Sequence, residues 1–201
     1  MAGRTGRTRW AAAAVLAVLG LCALLRGSTS RQLEAGEGEP CPTVPAGQKL
    51  IALTFDDGPR RSTTTKLLDG LAQRGVKATF FLIGLNLDGN EDLVLRMDRE
   101  GHQIGLHSYN HKLLTGLSTA DFYTEVGALR EKLTDLLGHN DFVLRPPYGK
   151  TDAGVRKLAG APIILWSIDP EDWRDQNTDR GVREVVAGAR DGGIILMHEI
   201  F

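Results

Sequence analysis

An α/β domain built on a parallel sheet is the fold class this sequence predicts, and three observations predict it. From Lys49 onward, apolar runs of strand length alternate with segments of helical period. The runs are continuous rather than alternately apolar and polar, as strands buried on both faces of a parallel sheet require. A polar cluster follows nearly every run, so side chains capable of chemistry collect at the C-terminal ends of the strands.

Six strands are expected, over 50–55, 78–83, 103–106, 142–144, 162–168 and 193–197. Five helices are expected between them, over 63–74, 91–100, 118–137, 152–158 and 179–190. In the first, Leu67, Leu68 and Leu71 recur at helical spacing. Ser118 with Asp121 resembles a capping box, and Gly75, Gly101 and Gly138 stand where C-caps belong.

The chain of 201 residues suits one domain, and 42% hydrophobic with 24% charged residues is ordinary for a globular protein. A net charge of −1 provides no global field for nucleic acid. Two cysteines, Cys22 and Cys41, exclude a disulfide scaffold and a cysteine-built zinc site. Arg4, Arg7 and Arg9 precede an uncharged run from Trp10 to Leu25, which Arg26 closes. Residues 1–27 therefore read as a signal peptide or a membrane anchor, with the N-terminus inside and the rest outside the cytoplasm. Residues 28–48, with Pro40, Pro42, Pro45 and three interspersed glutamates, read as a flexible linker; the folded domain occupies 49–201.

Five polar clusters carry the candidate chemistry. Asp56-Asp57-Gly58-Pro59 follows the first strand and His107-Ser108-Tyr109-Asn110-His111 the third. Arg145-Pro146-Pro147-Tyr148-Gly149 follows the fourth, Asp169-Pro170-Glu171-Asp172-Trp173 the fifth, and His198-Glu199 the sixth. The strand ends share one rim in a βα barrel and converge at a switch point in an open doubly wound sheet; either brings the segments together. His107 and His111, at i and i+4, can present nitrogens to one metal from a helical turn, or form the polar face of a loop. With one aspartate they make a three-ligand set that leaves a position open, the pattern of catalytic zinc. The other aspartate can then act as a base, although an Asx-turn explains the pair as well. His198 can donate a proton with Asp172 or Asp169 holding it, or lie on the surface. Arg145 can orient a free aspartate or be a surface residue, and Trp173 can wall a sugar pocket or belong to the core.

Taken in order, Thr54-Phe55-Asp56-Asp57-Gly58-Pro59, His107–His111, Arg145-Pro146-Pro147-Tyr148, Asp169–Trp173 and Leu196-Met197-His198 closely resemble the NodB-like polysaccharide deacetylases, carbohydrate esterase family 4. The resemblance implies a distorted (β/α) barrel and metal-dependent hydrolysis of N-acetyl groups on cell-wall sugars, N-acetylglucosamine of peptidoglycan first among them. It implies Asp57, His107 and His111 as metal ligands for a divalent ion, zinc in this family, with Co2+, Mn2+ or Ni2+ as alternatives. It further implies Asp56 as general base, His198 as general acid, Arg145 orienting Asp56 and Asp172 tuning His198. Tyr148 (through its backbone N–H), Trp173, Leu196 and Pro147 fall on the substrate side. The expected partner is an acetylated polysaccharide or glycan oligomer, met by a monomer outside the cytoplasm, with the membrane reached through the N-terminal segment. Relatives continue beyond the position of Phe201 with elements that close the barrel, so an open edge is expected here. A truncated, inactive or glycan-binding protein and an O-acetyl esterase of the xylan or chitin type are the alternatives.

Overall fold

The computed structural model describes residues 47–200. The expected signal or anchor over 1–27, nearly all of the linker, and both cysteines lie outside the described residues. Among those residues, no helix is long and apolar enough to cross a membrane.

The chain runs β1 (Ile51–Asp56), α1 (Arg61–Arg74), β2 (Thr79–Leu82), a 3-10 turn (Gly84–Asn86), α2 (Glu91–Arg99) and β3 (Gln103–Leu106). There follow α3 (Thr119–Phe122), a π-helical turn (Tyr123–Gly127), α4 (Ala128–Leu137), β4 (Val143–Leu144) and a turn at Pro147–Gly149. Then come α5 (Ala153–Leu158), the short α6 (Asp172–Asp175), α7 (Thr178–Gly188) and β5 (Gly193–His198). The expected caps form: Ser118 Oγ accepts the Asp121 N–H at 3.1 Å, and α1 and α4 end on left-handed Gly75 and Gly138.

The strands pair in parallel in the order β4-β3-β2-β1-β5. Phe80, Leu82, Ile104 and Leu106 of the sheet pack against Leu68 and Leu71 of α1, Val94 and Met97 of α2, and Leu129 and Leu133 of α4. Burying each such side chain contributes about 1.5–3 kcal/mol, so the core fixes the strand register firmly. That register positions the site. Asp56 stands opposite His198, and Leu82, Leu106 and Leu144 align across β2, β3 and β4, so His107 and Arg145 emerge side by side.

The fifth expected strand, 162–168, does not form as a strand. Segment 162–168 makes one parallel bridge to β4, Leu144 with Ile163, and one to β5, Ile168 with Ile195. Between them, the carbonyls of Ile164 and Leu165 accept from Arg145 Nε at 3.2 Å and Nη2 at 3.1 Å. A side chain occupies acceptors that a neighbouring strand would otherwise use. The segment thus spans both edges of the five-stranded sheet and leaves the barrel distorted. Outside it, Leu50, Ile51, Val182 and Val186 stay exposed.

Candidate active site

The C-terminal rim of the sheet encloses a cavity of about 410 Å³. Asp56, Asp57, His107, His111, Tyr148, Trp166, Asp169, Trp173, Leu196 and His198 line it. The two histidines do not lie on a helical turn, as their spacing suggested. Residues 107–111 form an irregular loop in which Ser108 and His111 take φ of 64° and 53°. Asp57 (φ 73°), Tyr148 (φ 61°) and Glu171 (φ 52°) are also left-handed, so unfavourable backbone conformations concentrate at this rim.

The neighbouring aspartates occupy different environments. Asp56 Oδ1 accepts from Arg145 Nη1 at 2.7 Å, and the same nitrogen donates to Thr54 Oγ1 at 2.8 Å. Arg145 is wholly buried, its guanidinium carbon 4.1 Å above the Phe81 ring, which excludes the surface reading. Burial pushes the Asp56 carboxyl up to about 6 despite the opposing pull of Arg145. Asp57 Oδ1, by contrast, is buried without a hydrogen-bond partner. It lies 3.5 Å from His107 Nε2 and 3.5 Å from His111 Nε2.

These three atoms fit a metal. A tetrahedral ion bound at about 2.0–2.2 Å sets its ligand atoms about 3.3–3.6 Å apart. One ligand atom from each residue lies within 4.8 Å of the other two. His107 Nδ1 is 2.7 Å from the Arg145 carbonyl, which can only accept, so Nδ1 carries the hydrogen and Nε2 keeps its lone pair. Burial lowers the His107 pKa, which keeps the ring neutral and able to coordinate. Two imidazoles and a carboxylate suit zinc and leave a coordination position open.

Asp172 Oδ1 meets His198 Nδ1 at 2.7 Å and Oδ2 accepts the His198 backbone N–H at 2.7 Å. Burial disfavours the charged imidazole, but Asp172, with help from Asp57 and Asp56, outweighs it and raises the His198 pKa. Asp169 does not hold this ring; its Oδ1 caps the following turn through the Glu171 N–H at 2.8 Å. Tyr148 and Trp173 are 61% and 52% exposed, which places both aromatic faces at the cavity mouth rather than in the core. Pro147 is buried in the turn behind Tyr148 and does not line the cavity.

Sequence reasoning passed over three contributors. Trp166 lines the cavity and lies against Gly149, where an added Cβ would stand 2.7 Å from the ring. Thr54 supports Arg145 from one position before Phe55. Glu199 is buried beneath Gly58, and its Oε2 accepts from Thr64 Oγ1 at 2.5 Å. Burial pushes its carboxyl up to about 8. No local pattern separates this residue from a surface glutamate.

A family model described as polysaccharide deacetylase matches residues 43–161. Over 161 residues the chain is 45% identical to peptidoglycan-N-acetylglucosamine deacetylase PgdA of Listeria monocytogenes, covering 79% of this chain and 34% of that protein. The chain therefore spans about a third of that relative's length. A peptidoglycan-N-acetylglucosamine deacetylase of Bacillus cereus is 38% identical over 162 residues, with 78% of this chain and 75% of the relative covered. The solved structure of peptidoglycan deacetylase PdaC from Bacillus subtilis superposes with a TM-score of 0.75 at 38% identity, covering 79% of this chain and 78% of that one. With the family model spanning more than half its length and a relative matched along three quarters of its own, the chain belongs to the polysaccharide deacetylase family.

Proposed function

We propose that this protein is a metal-dependent deacetylase that hydrolyses N-acetyl groups on glycan, with N-acetylglucosamine of peptidoglycan as the substrate. The observation that carries the reading is the partnerless, buried Asp57 Oδ1, 3.5 Å from two imidazole nitrogens and in one cavity with Asp56, which Arg145 holds from behind, and His198, which Asp172 holds. The names of the similar proteins support the substrate. The basic and apolar segment 1–27 supports work outside the cytoplasm, by secretion or by an anchor.

Asp57, His107 and His111 hold a divalent ion, zinc by its donor set. Such an ion supplies Lewis acidity, polarising an acetyl carbonyl and lowering the pKa of water. Asp56 has Oδ1 fixed by Arg145, while Oδ2 lies 3.6 Å from His107 Nε2, toward the ligand atoms. Oδ2 takes a proton from the water that adds to the carbonyl carbon. The Tyr148 backbone N–H donates to the oxygen that gains charge. With Nδ1 engaged by Asp172, His198 delivers its proton from Nε2 to the departing nitrogen. The C–N bond breaks, leaving acetate and a free amino sugar. Trp173 and Leu196 enclose the acetyl methyl group, and Tyr148 offers a face to the sugar.

The test is acetate release from N-acetylglucosamine oligomers and from peptidoglycan, with zinc and with a chelator. Chelator-sensitive release is expected. A folded, zinc-loaded protein that binds these glycans without releasing acetate overturns the reading in favour of a binding role. Turnover of acetyl-xylan alone overturns the substrate in favour of an O-acetyl esterase.

A pH profile checks the acid. Activity needs protonated His198, so it falls as pH rises through the His198 pKa. Asp172→Asn removes the carboxylate that raises this pKa and leaves burial to lower it. The alkaline limb of kcat/KM is expected to move to lower pH, with the maximum reduced about 10²-fold. An unmoved limb removes His198 from the role of acid.

A further inference from the structure

The loop that carries His111 has no regular hydrogen bonding of its own, and two of its five residues are left-handed. Something outside it must fix the direction of the His111 ring. The first half is tied to the end of β2, where Gly84 and Leu85 donate to the Ser108 and Tyr109 carbonyls. The Tyr148 ring meets the His111 ring edge-on at 4.8 Å and the Lys112 N–H donates to Ser108 Oγ at 3.1 Å, but the side chain from another element that hydrogen-bonds the second half is a single acid. Glu125 Oε2 accepts the Asn110 backbone N–H at 3.0 Å, and Oε1 accepts Asn110 Nδ2 at 3.0 Å. Glu125 is 4% exposed and lies in the π-helical turn Tyr123–Gly127. Among the described residues it forms no ion pair. Burying an acid without a cation is costly, and two donors from one residue offset that only while the loop keeps its shape. A π-turn in a helix costs hydrogen-bond geometry as well and is a frequent mark of functional sites.

We infer that Glu125 is a positioning residue that clamps Asn110 and thereby aims His111 Nε2 at the ion shared with Asp57 and His107. The inference rests on the metal-binding reading above. The π-turn sets the carboxyl opposite Asn110, so the clamp joins helix and loop at the residue next to His111. Partners behind a metal ligand typically change affinity about 10- to 100-fold when removed.

The full chain is titrated with zinc against a chromophoric chelator, and its cobalt form is read by visible absorption. Glu125→Ala removes both acceptors of the clamp. Zinc affinity is expected to fall about 10- to 100-fold, and the cobalt bands to lose the intensity of a four-coordinate site. Asn110→Asp alone sets carboxylate against carboxylate and is expected to weaken zinc similarly. The double variant N110D/E125Q restores both bonds with the donor exchanged, and most of the affinity should return. Asn110→Ala, at an exposed position that folding tolerates, removes one bond and is expected to weaken zinc several-fold. Wild-type zinc affinity and cobalt spectra in both Glu125→Ala and Asn110→Ala overturn the clamp alone. A reciprocal pair that recovers nothing while melting like the wild type in the metal-free state also overturns it. A wild-type chain that takes up no zinc overturns both the clamp and the proposed function.

Discussion

Asp56→Asn is expected to lower acetate release by about 10²- to 10⁴-fold while zinc content and metal-free Tm hold. The carboxamide keeps an oxygen for Arg145 Nη1, so the 2.7 Å contact survives and the guanidinium retains Thr54, Ile164 and Leu165. What disappears is an acceptor for the proton of the attacking water. Because burial already raises the Asp56 carboxyl to about 6, a neutral side chain is accommodated without loss of stability. Asp57→Asn is expected to do the reverse and lose zinc, since its Oδ1 is the buried atom with no other partner. Activity assays paired with metal analysis check both variants. Zinc lost in Asp56→Asn and kept in Asp57→Asn would invert the two roles. The wild-type acid limb follows from the same residue. Activity falls as Asp56 takes up its proton, and a dication nearby favours the carboxylate, so the limb of the zinc form should lie below about 6. Asp56→Asn should abolish it.

The sheet was legible because apolar runs of strand length recur and a polar cluster follows every one of them but the second. Parallel pairing then brings Asp56 opposite His198 from the far end of the domain, as it brings Leu53 and Thr54 opposite Ile195 and Leu196. The fifth run, 162–168, was misjudged because strand pattern describes side chains, whereas pairing needs free backbone acceptors. Those of Ile164 and Leu165 are taken by Arg145, a contact no local window can show. The histidine pair was read at helical spacing and is held by a loop, so its ring nitrogens approach Asp57 by a different geometry. The 118–137 segment was read as one helix, and its period conceals the π-turn that places Glu125. Glu199 shows the opposite limit. Its burial depends on the bare backbone of Gly58, where a Cβ would stand 1.5 Å from Oε1.

Replacement of Arg145 should have the largest effect on stability, because this side chain is both a site residue and a strut of the barrel. One guanidinium meets Asp56, Thr54, Ile164 and Leu165, joining β1 to the segment that bridges the sheet edges. Met in its place leaves a buried carboxyl and two carbonyls without donors. Removing one partner of a buried pair costs about 3–5 kcal/mol, against a total stability of about 5–15 kcal/mol. Arg145→Met is therefore expected to be unfolded or nearly so by circular dichroism. Arg145→Lys keeps the charge, but its ammonium is a point donor that cannot span four acceptors in the plane of a fork. It should fold with a loss of about 2 kcal/mol, and its acid limb should move to higher pH because Asp56 holds its proton more tightly. Adding Asp56→Asn removes the carboxylate that Arg145→Lys leaves poorly paired, so the double variant should lose less stability than the two single changes together. Denaturant titration of the four proteins measures that coupling. If Arg145→Lys keeps full stability and the wild-type acid limb, neither the barrel nor the base depends on the guanidinium, and the closure of the sheet must lie in the two backbone bridges alone.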